Sequence, residues 1–335
     1  MTITDERLDR LFAAANPVPP AEGVGLRAVD IALREGIIRG ERSVRRSGRR
    51  VGRRTGAWVA GLAVAAAAVV VVAIVAVDVL VPVQQASALA PAPLTYTDPE
   101  PLDDVIRDAR TALSDGDGPE QAAHVESIGW GWSIDMGSEQ IEIVPQEVTT
   151  DWSVETGSTT TVVAGESSWP HDDRPEDVAD SPYEPGEVIS VATQNAAEFD
   201  LPQPMRALND ASEEQLRAAM GDFGGGVGAS SGELANGIAS VQGWWTLTDA
   251  QHATLLDMLV DAGGVTVLGR TEDRLGRPVV GLRVSGASDL HDVTLLVSRE
   301  TGRIVGEEVE LREPLDFIPA GVIGYTLWDV DLDDD

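Results

Sequence analysis

The sequence predicts an α+β protein in which a single transmembrane helix precedes an exported domain with a largely antiparallel, curved sheet and helices packed on one side. Three observations support this prediction. Residues 56–77 form an uninterrupted apolar run. After residue 124, short segments alternate apolar and polar side chains and are separated by turn signals. Segments 101–113 and 248–262 have apolar side chains at helical spacing.

The apolar run is long enough to cross a membrane. It has 22 residues, and a helix of that length is roughly 33 Å long at ~1.5 Å rise per residue. We therefore predict a transmembrane helix over residues 55–81.

Arginines before the run predict its orientation. Eight of them lie between Arg39 and Arg54, and no further basic residue occurs until Arg107. Basic segments remain on the cytoplasmic side of a membrane. Residues 1–54 are therefore predicted to be a cytoplasmic arginine-rich lead, and the C-terminal part is predicted to be extracytoplasmic.

A cleaved signal peptide is the alternative, because residues 86–90 offer small-residue cleavage patterns near Ala88 and Ala90. The apolar run exceeds the usual ~7–15 residues of the apolar region within a signal peptide, and the lead before it is long. These lengths favour a retained anchor.

Composition excludes several classes of function. The net charge is −32 and the chain has no cysteine, so disulfides, thiol nucleophiles and cysteine-based metal sites are absent. An acidic exported domain should repel nucleic acid. The chain also has no lysine, which excludes Schiff-base chemistry.

The cytoplasmic lead contains two short amphipathic segments, with Leu8, Leu11 and Phe12 in the first and Leu26 and Leu33 in the second. Such segments either fold on a cytosolic protein partner or lie on the inner membrane surface. The sequence leaves both interpretations open.

The exported part divides into a Pro/Ala-rich stalk at 82–100, an α+β domain at 101–330 and an acidic tail at 331–335. Within the domain, Ile128, Trp130 and Trp132 alternate with small residues and predict a strand whose aromatic stripe is buried rather than a ligand platform. Trp244 and Trp245 are assigned either to the core or to lipid contact. Thr248 and Gln251 form a capping-box pattern before the second helix. The last five strands are predicted to be an antiparallel meander.

Several passages resemble a known family. They are residues 255–259, 264–269 and 273–278, followed by 294–297 and 300–307, together with the proline motif at 16–20. These passages resemble an uncharacterised family of actinobacterial single-pass membrane proteins often encoded beside extracytoplasmic-function sigma factors. The meander also resembles the incomplete barrel of periplasmic lipoprotein carriers and of sensor domains in sigma-regulatory systems. The resemblance implies a half-barrel that holds a lipid, and it carries no catalytic residues.

Two motifs suggest chemistry. Residues 228–232 match Gly-x-Ser-x-Gly, but a glycine-rich stretch precedes Ser230 where a hydrolase needs a strand. His171, Asp172 and Asp173 are adjacent in a loop, where side chains seldom converge on one metal. We therefore predict no catalytic, cofactor-binding or metal-binding residue.

The two-compartment layout and the resemblance together predict a non-enzymatic membrane regulator, in which the exported domain senses the envelope and the lead contacts a cytosolic partner such as a sigma factor. A membrane-anchored lipid- or lipoprotein-binding module is the alternative. An extracytoplasmic hydrolase that uses Ser230 is a remote third.

Overall fold

The structure is a computed structural model that describes residues 92–115, 118–135, 140–166, 183–314, 320–330 and 332. The predicted lead (1–54), the predicted transmembrane helix (55–81), the first part of the stalk and His171–Asp173 lie outside these residues. Within them, no helix combines the length and apolar character needed to span a membrane.

The described residues contain nine strands, which form one antiparallel sheet in the order β4-β3-β2-β1-β9-β8-β7-β6-β5. Their bounds are β1 His124–Asp135, β2 Gln140–Ser153, β3 Gly157–Ala164, β4 Val188–Asn195, β5 Val265–Glu272, β6 Pro278–Val284, β7 His291–Ser298, β8 Ile304–Leu311 and β9 Gly321–Leu327. The sheet is open, with β4 and β5 as its edges. This confirms the predicted α+β class and the curved, largely antiparallel sheet.

The sheet consists of two meanders that meet at its centre. Strands β1 to β4 run outward to one edge, and β5 to β9 run inward from the other. In the described residues, the β1–β9 ladder that joins the two halves consists of the pairs Ile128–Leu327 and Gly129–Thr326. The meander predicted for the C-terminal half is therefore confirmed, whereas its junction with the first half has no local sequence signal.

Strand β2 contains a proline in its interior. The structure has one strand that continues through Pro145. Proline is tolerated in a strand where its missing N–H is not needed for pairing. Strand β3 ends at Ala164 opposite Gln146, so Pro145 lies just beyond the β2–β3 ladder.

Five α-helices occur in the described residues: α1 Leu102–Ser114, α2 Gln203–Arg206, α3 Glu213–Met220, α4 Ser231–Gln242 and α5 Asp249–Ala262. The predicted helices at 101–113 and 248–262 are confirmed as α1 and α5. The capping box is also confirmed, because the Thr248 hydroxyl accepts a hydrogen bond from the Gln251 backbone N–H and the Gln251 side chain accepts one from Thr248.

The helices share one hydrophobic core with one face of the sheet. Fully buried members are Leu216, Leu234, Leu255, Leu259, Leu282 and Leu295. On the opposite face, a smaller cluster contains Val279, Leu296, Val305, Tyr325 and Leu327. We call these the helix face and the far face.

The tryptophans divide between the two faces. Trp130 packs against the far-face cluster, with its ring centroid 4.7 Å from that of Tyr325. Trp245 packs edge-to-face on Trp152, and Trp244 contacts Phe199. The structure thus selects the core for Trp244 and Trp245, the first of the two alternatives left open by the sequence.

Arg303 joins the end of the sheet to helix α5. It is 5% exposed and its guanidinium pairs with Asp249 at 2.7 Å and Asp329 at 2.8 Å. A buried guanidinium is stable only when its charge is compensated in this way. The adjoining turn places Gly302 at φ +76°, a conformation that glycine adopts without strain.

Candidate functional site

Residues 92–100, which we call the strap, connect the undescribed N-terminal region to the domain. They belong to the predicted stalk, but they lie against the sheet. Thr97 forms a bridge with Arg270 on edge strand β5, through backbone hydrogen bonds of 2.9 and 2.7 Å. Leu94 packs against the far-face cluster. The strap therefore covers part of the far face and part of the β5 edge.

Two strand glycines make room for the strap. A Cβ atom on Gly281 would overlap the Tyr96 ring, and one on Gly269 would overlap the Thr97 carbonyl oxygen. Gly269 also has φ +122°, where other residues are strained. Glycine inside a strand often marks a close approach by another part of the chain. Here the approaching segment is the strap.

Arg274, in the β5–β6 turn, holds the first strap residue. It pairs with Glu308 at 2.6 Å and donates a hydrogen bond of 3.1 Å to the carbonyl of Ala92. Its guanidinium carbon lies 5.4 Å from the Trp130 ring centroid and 4.9 Å from that of Tyr325. The planar guanidinium can make all these contacts at once, which an ammonium group could not.

Further polar contacts hold the rest of the strap. The Leu94 backbone N–H donates to the Glu308 carboxylate over 3.2 Å. Glu100 pairs with Arg270 at 2.5 Å, and this hydrogen bond lowers the pKa of the Glu100 carboxyl. Both ends of the strap are thus held by arginines of β5 and its turn.

A cavity of about 340 Å³ lies between the strap and the sheet. The Tyr96 hydroxyl is buried and has no hydrogen-bond partner among the described residues, and the same holds for Nε of Arg283. Burial, and then the nearby Glu308 carboxylate, raise the pKa of Tyr96, so its phenol remains a neutral donor. The lining residues are Pro93, Leu94, Tyr96, Leu268, Arg283, Thr294, Glu308 and Glu310.

This cavity suits small polar molecules or water. It contains a guanidinium, two carboxylates and a phenol, and cavities with several polar groups hold water or polar ligands rather than alkyl chains.

The Gly-x-Ser-x-Gly motif has a structural role in the fold. Ser230 is the N-cap of α4, and its hydroxyl donates to the Glu233 carboxylate over 2.9 Å. Turns rather than a strand precede it. The strained strand-to-helix geometry of a nucleophile elbow is therefore not formed at Ser230.

The described histidines make structural contacts. Burial lowers the pKa of His252 to about 3, and Nδ1 of its neutral ring accepts a hydrogen bond from the Ile304 N–H over 3.3 Å. A hydrogen bond to Asp151 raises the pKa of His124. The described part of the chain holds no cluster of three or more side chains suited to a metal ion. His171, Asp172 and Asp173 lie outside it.

Sequence reasoning missed the strap as a structural element. Its signal is the short alternation of Leu94 and Tyr96 with two threonines. The surrounding prolines and alanines obscured this signal and suggested a stalk.

Comparisons with known proteins give little further information. No protein-family model matches the chain, and no curated protein matches it. Among solved structures, the chain is similar to a crystal structure of a DUF1329 family protein from Desulfovibrio piger, at 12% identity and a TM-score of 0.19. That alignment covers 71% of this chain and 96% of the other. At this TM-score the likeness supports no argument about fold or function.

Proposed function

We propose that the protein is a non-enzymatic, single-pass membrane regulator whose extracytoplasmic domain senses the envelope and whose lead, residues 1–54, contacts a cytosolic partner such as a sigma factor. The observation that carries this proposal is the strap. It is the described segment closest in sequence to the predicted transmembrane helix. It is bound to the sheet through Arg270, Arg274 and Glu308.

The strap links the state of the domain to the membrane anchor. Residues 82–91 lie between the predicted transmembrane helix and the strap, and 10 extended residues reach at most roughly 36 Å. Release of residues 92–100 would add roughly 30 Å to this reach. Binding of the strap to the sheet therefore controls the maximum distance between the domain and the membrane.

The polar cavity is the proposed binding site for a signalling molecule. A small polar molecule that hydrogen-bonds to Tyr96 and Arg283 would contact both the strap and the sheet. Any ligand that binds only the docked state shifts the equilibrium toward docking.

A lipid-binding half-barrel has less support. On the helix face, Leu234, Leu255 and Leu295 are fully buried in a packed core, which leaves no room there for an acyl chain. The cavity beneath the strap is lined by charged side chains. The hydrolase alternative lacks the strand that must precede Ser230.

To test this proposal, a photo-crosslinking amino acid replaces Leu8 or Leu26 in the full chain. The variant is expressed in the native host of the protein. We expect capture of a transcription-associated protein. The same amino acid at Gln84, on the predicted outer side, is the control and should capture no cytosolic protein. Capture of lipid alone from Leu8 and Leu26 would contradict a cytosolic partner.

A further inference from the structure

Among the residues that the structure describes, strand β4 is an open edge of the sheet. It pairs with β3 on one side and is the last strand in the sheet order. Its side chains are mostly exposed, including Val191 at 58% and Val188 at 54%. Residues 188–195 contain no charged side chain and no proline. Soluble proteins usually protect an edge strand with lysine, proline or a covering segment.

The opposite edge is protected. Strand β5 is bridged by Thr97 of the strap, and the Glu100–Arg270 ion pair lies next to that bridge. The two edges of the same sheet therefore differ, and within the described part of the chain β4 is the edge that no other segment pairs with.

We propose that β4 pairs antiparallel with β4 of a second copy of this chain, across a two-fold axis near Val191. Each chain then extends the other's sheet through main-chain hydrogen bonds, as in other cases of strand addition. The two exposed valines lie on one face, because Val188 pairs with Val163 and Val191 pairs with Thr161, two positions apart on β3. In an edge-to-edge pair they supply cross-strand apolar contact.

Charge is compatible with this partner. Two domains of an acidic chain repel each other unless their contact surfaces are neutral, and β4 is neutral along its whole length. Residues 188–195 contain no carboxylate, so with Val191 opposite its own copy no two carboxylates oppose each other along the paired strands.

Closure also favours a second copy of the chain. Pairing between two different edges generates a ring or an open filament, whereas pairing of one edge with itself closes at two subunits. Because the strap occupies the β5 edge at Arg270, it hinders a β4–β5 contact and favours a β4–β4 dimer. Such a dimer would bring two membrane anchors and two cytoplasmic leads together.

The absence of cysteine from the chain makes the test specific. Val191→Cys introduces a single thiol in the full chain, which is then treated in its native membranes with a short bifunctional thiol crosslinker. The control is Leu290→Cys, placed in the β6–β7 connection, because Leu290 is 54% exposed. Directly opposed residues on paired strands have Cβ atoms about 4.5–5.5 Å apart, so we expect at least a fivefold higher yield of linked dimer from Val191→Cys.

Equal yields from the two variants, or no linked dimer from Val191→Cys, would overturn the proposal, because random collision affects both thiols alike. A crosslink from Val191→Cys to another protein would also overturn it. As a second check, Val191→Cys is combined with Thr193→Glu, which places a carboxylate beside the proposed axis in both copies. The dimer yield should fall, and an unchanged yield would contradict β4 pairing.

Discussion

At the scale of single residues, two neighbouring glutamates of β8 show how burial and pairing act in opposite directions. Glu308 is 5% exposed and is paired with Arg274. Glu307 is 2% exposed, and its Oε1 atom has no hydrogen-bond partner among the described residues. It lies opposite Leu295 and Thr326 on the adjacent strands. Burial raises the pKa of Glu307 to about 8.

This pKa predicts a pH-dependent stability. In the folded protein Glu307 keeps its proton up to about pH 8, whereas the unfolded chain releases it at ordinary carboxyl values near 4.3. The unfolded state therefore binds fewer protons in this interval, and the free energy of unfolding falls as pH rises, by at most ~1.4 kcal/mol per pH unit. The loss is complete above pH 8.

Glu307→Gln removes this dependence. We expect the variant to unfold at the same denaturant concentration as the wild type at pH 4 and at a clearly higher one at pH 8, measured by urea denaturation. Glu310→Gln, at a half-buried position of the same strand, controls for loss of one negative charge. A stability difference between Glu307→Gln and the wild type that is the same at both pH values would contradict the account.

At the scale of elements, local signals define the helices and their ends. The Thr248 cap satisfies a backbone N–H in the first turn of α5 that would otherwise lack a partner. Thr248→Ala should lower the free energy of unfolding by about 1 kcal/mol, and Thr248→Ser should retain most of it. Chemical denaturation measures both. Equal destabilisation by alanine and serine would show that the methyl group of Thr248, rather than its hydroxyl, stabilises the helix.

Some elements could be predicted from the sequence alone and others could not. Periodicity and capping identified α1, α5 and the C-terminal meander, because these depend on residues close together in the chain. The junction of β1 with β9 joins Ile128 to Leu327, a contact that no local pattern encodes. The strap was missed because its binding groove is formed by Gly269 and Gly281, far away in sequence. For the candidate site, the sequence showed the glycine-rich stretch before Ser230, where the structure has turns, but it gave no sign of the polar cavity.

At the scale of the whole molecule, the proposed regulator has three parts: a predicted cytoplasmic lead, a predicted membrane anchor and a sheet domain to which the strap is bound. The strap is the physical connection between the last two. For such a regulator to work, the lead must contact its proposed cytosolic partner differently when the strap is bound to the sheet and when it is released.

The most direct test displaces the strap without touching the lead. Gly281→Val places a side chain where the Tyr96 ring lies, and valine suits a strand. Gly324→Val is the matched control, because a Cβ at Gly324 meets no atom within 4 Å. Hydrogen exchange should show faster exchange at the Thr97 amide in Gly281→Val alone, because that amide loses its bond to Arg270.

The decisive measurement is the yield of photo-crosslinking from Leu8 to its cytosolic partner in these two variants and the wild type. The account predicts a changed yield in Gly281→Val and an unchanged yield in Gly324→Val. An unchanged yield in Gly281→Val, with faster exchange at Thr97 confirming that the strap is released, would contradict the claim that strap docking connects the exported domain to the cytoplasm.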